Sequence, residues 1–197
     1  MRKSENRKEK TIVLLIDFLG HPILGDEYVN NRRYSELQKF LTARSIMSDL
    51  YFISNMPYSK DPRLGEILKV ARAVGFKTSC VTQTLRPNAG DHTIEELSNH
   101  IKEKFDFQID PSDTQIVIGG NNLAGCVVSS KQISAVYWSK AGYRTTIHAP
   151  LCAEYEQPGL NQVERTYNGF QKLYSVIRRH KCFDIQMSNE WHEIRGI

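Results

Sequence analysis

Continuous apolar runs alternate with amphipathic segments along most of this chain. The run at 11–16 is rich in β-branched residues and has no polar alternation, which is typical of a strand covered on both faces. Four further runs predict strands, and they lie at 50–54, 77–85, 114–118 and 144–148. Between the strands, apolar residues at helical spacing predict helices near 34–41, 64–74, 94–105 and 123–141. This alternation predicts a three-layer α/β/α sandwich, Rossmann-like, with a mostly parallel sheet of five or six strands.

Local signals mark where several of these helices begin and end. Asp61 and Pro62 offer an N-cap and a first-turn proline, and Gly75 is placed to end the same helix. Thr93 and Glu96 have the spacing of a capping box ahead of the next helix. These signals fix the boundaries of two helices more firmly than the apolar pattern does.

The chain after Ala149 follows a different pattern. A loop with two prolines precedes a stripe of apolar residues at spacings of three and four, which predicts one long helix over 160–177. Two interpretations stay open: the stripe packs against the sheet, or it forms the seam of a homodimer. We therefore divide the chain into an N-terminal arm (1–10), an α/β domain (11–150) and a C-terminal helical extension packed on that domain (151–197). The pattern after His180 predicts no element.

The composition is that of one globular domain, and most of the net positive charge lies at the N-terminus. The 197 residues are 40% hydrophobic and 24% charged, with a net charge of +4. Residues 1–10 hold five bases and two acids, so three of the four net positive charges lie in this arm. The rest of the chain is almost neutral. The charge therefore indicates a basic, flexible arm more than a basic groove on the domain.

The sequence was also compared with the patterns of secreted, membrane-spanning and zinc-binding proteins. The apolar run at 12–16 is shorter than the roughly 7–15 residues of a secretory core and meets Asp17. No run approaches the roughly 18 residues that span a membrane, so no membrane partner is expected. The four cysteines show neither CxxC nor zinc-site spacing, which predicts reduced thiols in a cytoplasmic protein.

Candidate chemistry gathers where the predicted strands end. In an open parallel sheet, functional groups lie beyond the carboxyl ends of the strands. A carboxylate placed directly after five apolar residues, as Asp17 is, is costly unless it is paired, hydrogen-bonded or bound to a metal. The candidate positions at the strand ends are Asp17, Ser54-Asn55, the 86–91 loop and the 119–122 turn.

These positions resemble those of NYN domains, which are relatives of the PIN-domain ribonucleases. The family begins with a strand ending in Ile-Asp, as Ile16-Asp17 does here, and places an acidic residue at the head of a later helix, where this chain has Gly90-Asp91. A strand then ends in a Gly- and Asp-containing turn, matched here by 116–123, and a helix ending in Gly142 precedes a last strand. The resemblance covers about residues 11–150.

The resemblance implies hydrolysis of RNA by carboxylates that hold Mg²⁺ or Mn²⁺. Asp17 and Asp91 match the first two acidic positions and are the expected metal ligands, but Gly120 and Asn122 stand where the family has two aspartates. Two outcomes stay open: an active endoribonuclease rebuilt with nearby acids such as Asp26 or Glu27, or a degenerate relative that binds RNA or a protein partner. Asn122 is the third expected catalytic residue, and the expected RNA contacts are Asn121, Arg86, Arg32 and Arg33.

A second resemblance uses the same turn. The segment 119–130, followed by Ala141-Gly142-Tyr143, is similar to the isochorismatase and nicotinamidase cysteine hydrolases. It implies Cys126 as a nucleophile at a helix start, where the helix dipole favours the thiolate, and Asp17 as proton acceptor. The family's lysine is replaced in the matching window by Arg86, which does not exchange its proton near neutral pH. The alternative function is therefore hydrolysis of a small amide or vinyl ether.

Overall fold

The computed structural model describes most of the α/β domain and short parts of the rest. The described residues are 9–16, 27–44, 49–54, 62–81, 92–120, 126–128, 132–152, 175, 183–187 and 192–196. The predicted stripe at 160–177 lies outside them except for Ser175, which is helical.

One mixed sheet of seven strands forms the centre of the molecule, in the order β3-β2-β1-β4-β5-β7-β6. The strands are β1 (Lys10–Ile16), β2 (Leu50–Ser54), β3 (Lys77–Cys80), β4 (Thr114–Gly120), β5 (Arg144–Cys152), β6 (Phe183–Met187) and β7 (His192–Gly196). The first five are parallel, whereas β7 runs antiparallel to β5, and β6 runs antiparallel to β7. The predicted α/β sandwich with a mostly parallel sheet is confirmed, and the antiparallel hairpin extends the sheet at one side.

Four helices connect the parallel strands, and the apolar residues divide into two cores. The helices are α1 (Glu27–Arg44), α2 (Pro62–Ala73), α3 (Ile94–Phe105) and α4 (Ala135–Lys140). Along β1, Ile12, Leu14 and Ile16 enter the core that α3 covers, here the α3-side core. Val13 and Leu15 enter the core that α1 and α2 cover, here the α1-side core. Each face of β1 is therefore buried, which is why its apolar run shows no alternation.

The predicted capping box of α3, the first-turn Pro62 of α2 and the glycine after α2 are confirmed, whereas the predicted N-cap Asp61 lies outside the described residues. Thr93 caps α3 by accepting from the Glu96 backbone N–H at 3.1 Å, and the Glu96 carboxylate accepts from the Thr93 N–H at 2.8 Å. Gly75 follows α2 with φ of +99°, a conformation that side chains with a Cβ rarely adopt.

The helix predicted over 123–141 is wrong in its extent. Only Ala135–Lys140 forms α4, and a separate helical turn lies at 126–128. The Val136 N–H donates to the Val128 carbonyl at 2.9 Å, a bond across eight residues that a continuous α-helix does not contain. The reason is burial: the buried apolar residues here would spread over roughly two thirds of the circumference of a single straight helix, far wider than one apolar stripe. These residues are Val127, Val128, Ile133, Ala135, Val136 and Trp138.

The fifth strand and the C-terminus also differ from expectation. The predicted loop at Ala149 does not begin there, since β5 continues to Cys152. No element was predicted after His180, but two strands form there, so the described part of the extension is not wholly helical. Within the described residues, no helix is both long and apolar enough to cross a membrane.

Candidate functional site at the carboxyl edge of the sheet

The strand order places a reversal between β1 and β4. The chain builds β1, β2 and β3 toward one side of the sheet and then continues with β4 and β5 on the other side. In sheets of this kind, ligands bind in the crevice outside the carboxyl ends of the two strands at the reversal. Ile16 ends β1 and is paired with Gly120, which ends β4. This pair marks the candidate site, called here the β1–β4 edge.

The acids on which the predicted metal site depends adjoin described residues but lie outside them. Asp17 directly follows Ile16, the last residue of β1, in the sequence. Asp91 directly precedes His92 and the N-cap of α3. The other predicted site residues outside the described ranges are Asn121, Asn122 and Arg86, and the side chains of Arg32 and Arg33 in α1 are likewise not described.

Gly120 is closely surrounded at the β1–β4 edge. A Cβ added at this position would overlap the carbonyl oxygen of Ile16 and would lie 2.9 Å from Cγ2 of Val127. The backbone oxygen cannot move without disturbing the β1–β4 pairing. The packing of this chain therefore leaves no room for a side chain at 120, and an aspartate would not fit in the same backbone.

Gly119 meets a similar restriction on the opposite face of β4. A Cβ at this position would lie 2.7 Å from Cβ of Leu151 and 3.2 Å from Cδ2 of Leu15. Leu151 approaches because β5 is irregular here: Ile118 pairs with Ile147 and Gly120 with Cys152, so four residues of β5 pass a single residue of β4. The Gly-Gly sequence thus permits close packing on both faces of the strand end.

The described part of this edge does not fit a divalent metal. The five parallel strands end at Ile16, Ser54, Cys80, Gly120 and Cys152, none of which carries a carboxylate. Mg²⁺ needs several oxygen ligands, including one or two carboxylates. No group of three His, Cys, Asp or Glu side chains that could hold a metal ion occurs among the residues that the structure describes.

The surroundings of Cys126 are described only in part, because the residues on both sides of 126–128 lie outside the described ranges. Cys126 itself is half-buried, and its side chain packs against the α3-side core. The local structure therefore favours a packing role for Cys126.

A partly buried polar pair that the sequence did not indicate joins β3 to α3. Ser79 of β3, which is 5% exposed, has its Oγ 2.8 Å from Nε2 of His100 on α3. Burial lowers the pKa of His100, with smaller contributions in the same direction from Lys104 and His92, while Glu103 acts in the opposite direction. The two residues are 21 positions apart, and no short-range pattern links them.

Comparisons with known proteins assign no family. No family model and no curated protein matches the chain. Among solved structures, the MAR1 ribonuclease from Caenorhabditis elegans is similar at 11% sequence identity, with a TM-score of 0.48, over 86% of this chain and 74% of that chain. Similarity at this level does not place the chain in a family.

Proposed function

We propose that this chain is an RNA-directed relative of the PIN and NYN domains, with a catalytic centre too degenerate for efficient hydrolysis. The observation that carries the proposal is the pairing of Ile16 with Gly120 at the strand-order reversal. It brings the Ile-Asp motif at the end of β1 next to the Gly-Gly turn at the end of β4. These are the two segments on which the resemblance to NYN domains chiefly rests.

We expect weakened catalysis because the end of β4 lacks a carboxylate that the family has there. In the family, metal ions at this edge are held by a set of carboxylates that includes the position of Gly120. Here that position admits no side chain, because its Cβ would overlap the Ile16 carbonyl. Loss of one carboxylate from a set that balances metal charge lowers both the affinity for the metal and the activation of water.

The cysteine-hydrolase alternative receives less support. It requires an accessible, reactive thiolate, whereas Cys126 is half-buried and its side chain packs against the α3-side core. Selective alkylation of Cys126 at pH 6, faster than that of the other three cysteines, would reverse this preference.

The proposal is tested by RNA binding and cleavage with the full chain. We expect a fluorescently labelled, mixed-sequence single-stranded RNA to bind with an affinity that falls as salt is raised, and to be cleaved slowly or not at all with Mn²⁺. Arg86→Gln should weaken binding roughly three- to ten-fold and reduce the salt slope by about 0.7, because one phosphate contact is lost.

Lys140→Gln provides the matched control. Lys140 is exposed at the end of α4, before β5 begins at the amino edge of the sheet, and the change removes the same charge. Equal losses from both variants would indicate binding by general charge and contradict a site at the β1–β4 edge. Absence of RNA binding at low salt would refute the proposed function.

A further inference from the structure

We infer that the outer edge of β6 pairs with β6 of a second copy of the chain, antiparallel and centred on Ile185. β6 is the last strand of the sheet, and none of the strands that the structure describes pairs with its outer edge. A strand in this position has backbone N–H and C=O groups that can bond to another strand. This pairing is independent of the proposed function, since it concerns only the assembly of the chain.

One register row crosses all seven strands and leads to this edge. From β3 to β6 it consists of Ser79, Ile53, Leu14, Ile118, Ile147, Ile194 and Ile185. Its members in β2, β1, β4 and β5 are buried in the α3-side core. Ile194 and Ile185 continue the row on the same face of the sheet, so its apolar part runs to the outer edge of β6.

At the other edge of the sheet, polar and charged side chains protect β3. Ser79 has its Oγ 2.8 Å from Nε2 of His100, and Arg72 donates to Thr78 at 2.6 Å. β3 also begins with the exposed Lys77, and a lysine on an edge strand opposes pairing with another chain. β6 contains neither lysine nor proline. Of the two edges, only β6 therefore has a sequence that permits pairing.

The sequence of β6 is complementary to itself in this arrangement. An antiparallel pair centred on Ile185 places Asp184 opposite Gln186 of the second copy, and Phe183 opposite Met187. Asp184 is the only charged residue in β6, so no like charges face each other. A twofold axis through Ile185 relates the two copies, which closes the assembly as a dimer. The dimer extends the apolar row across the axis.

Sedimentation velocity of the full chain, from about 1 to 100 µM, tests the assembly. We expect a reversible dimer whose Kd changes in opposite directions for opposite charges at residue 186. Gln186→Asp creates two like-charge pairs with Asp184 across the axis and should raise the Kd roughly three- to ten-fold. Gln186→Lys creates two opposite-charge pairs and should lower the Kd by a similar factor.

Thr78→Asp is the matched control, because it adds the same charge at the opposite edge of the sheet. An aspartate there can still accept from Arg72, and we expect the Kd to change by less than about two-fold. Gln186 also lies opposite Glu193 in its own chain, so urea unfolding of each variant is needed to show that the fold is retained. If Gln186→Asp does not fold, Gln186→Lys still decides, since its Kd must fall.

Three outcomes would overturn the inference. The first is a chain that stays monomeric at the highest concentration. The second is a dimer whose Kd changes in the same direction, or not at all, with the two charges at residue 186, because such a dimer uses another surface. The third is an equal rise in Kd for Thr78→Asp and Gln186→Asp, which would show that only general charge repulsion is measured.

Discussion

The two edges of the parallel sheet differ in how they are stabilised. At the amino edge, Lys10 and Asp113 form an ion pair of 2.6 Å, and Arg144 and Glu9 form another of 2.7 Å. Lys10 also lies 5.4 Å from the centre of the Phe107 ring. At the β1–β4 edge, packing depends instead on glycine and buried aliphatic side chains.

This difference indicates that charged side chains stabilise the fold at the amino edge, whereas packing at the β1–β4 edge does not depend on charge. At the amino edge, one ion pair joins β1 to the turn before β4 and the other joins the residue before β1 to β5, so these four charges are already neutralised. At the opposite edge, the described strand ends supply no charge, and the loops that follow them must supply any charge that a ligand meets. The difference matches the general placement of binding sites at the carboxyl ends of parallel strands.

The largest expected effect comes from breaking the packing at the β1–β4 edge with Gly120→Ala. The added Cβ would overlap the Ile16 carbonyl, so we expect a loss of at least about 3 kcal/mol in the free energy of unfolding, measured with urea. Gly65→Ala is the control, because nothing lies within 4 Å of a Cβ at that position in α2. It should stabilise the protein by about 0.5–1 kcal/mol. A stable Gly120→Ala protein would contradict the steric description of this edge.

A smaller effect is expected at the amino edge from Lys10→Met. Burial alone would raise the pKa of Asp113, but hydrogen bonds from Lys10 and Thr114 and the charge of Lys10 outweigh it and lower the pKa below its ordinary value of 3.8. Loss of the pair should cost about 1–3 kcal/mol at pH 7, since the side chain of Asp113 is only 8% exposed.

The pH dependence of that cost tests its cause. A carboxyl group whose pKa is lower in the folded than in the unfolded protein stabilises the fold at pH values above its unfolded-state pKa. This stabilisation is lost as the pH falls through the folded-state pKa. The difference between Lys10→Met and the parent should therefore shrink in urea titrations below about pH 3.8. Lys39→Met, which removes an exposed pair with Glu36, should cost under about 0.5 kcal/mol at any pH. If both variants lose the same free energy of unfolding, the burial of the Lys10–Asp113 pair adds no stability beyond that of an exposed pair.

The smallest effect concerns His100, the titratable partner of Ser79. Burial lowers the pKa of His100, so the unfolded chain takes up its proton first as pH falls below 6.5. Stability should decline from there down to the folded pKa and then level, by about half a kcal/mol or less, because solvent screens the half-exposed ring. His100→Gln should remove this component from urea titrations between pH 7.5 and 5, whereas His92→Gln, just before the N-cap of the same helix, should retain most of it, because His92 makes the smallest contribution to the lowered pKa of His100. If the free energy of unfolding of His100→Gln falls by the same amount over this pH range, the decline is due to other titratable groups.

Elements with local signals were predicted well, and elements that depend on distant contacts were not. The capping box at Thr93 and the glycine after α2 were correct, because each is determined by residues within one helical turn. The helix over 123–141 was wrong, because burial on several sides divides that segment. The hairpin of β6 and β7 was missed, since its strands are short and depend on pairing with β5.

In the candidate site, too, the local features could be predicted from the sequence and the features that depend on distant contacts could not. Ile16-Asp17 and the Gly-Gly turn could be recognised as strand ends from their apolar runs, and parallel pairing brings those ends together. The sequence showed that Gly120 lacks a carboxylate, but not that one could not fit there. That restriction depends on the carbonyl of Ile16 and on Val127, which belong to other segments of the fold.

The sequence by itself determined the alternation of strands and helices, the two buried faces of β1, and the position of the acid that follows it. These follow from hydrophobic periodicity and backbone chemistry, which act over a few residues. Only the tertiary structure decided that β4 lies beside β1, that β5 bends toward Gly119, and that the end of β4 has no room for a side chain. Such packing depends on the relative placement of segments about 100 residues apart, because β1 and β4 meet only in the folded chain.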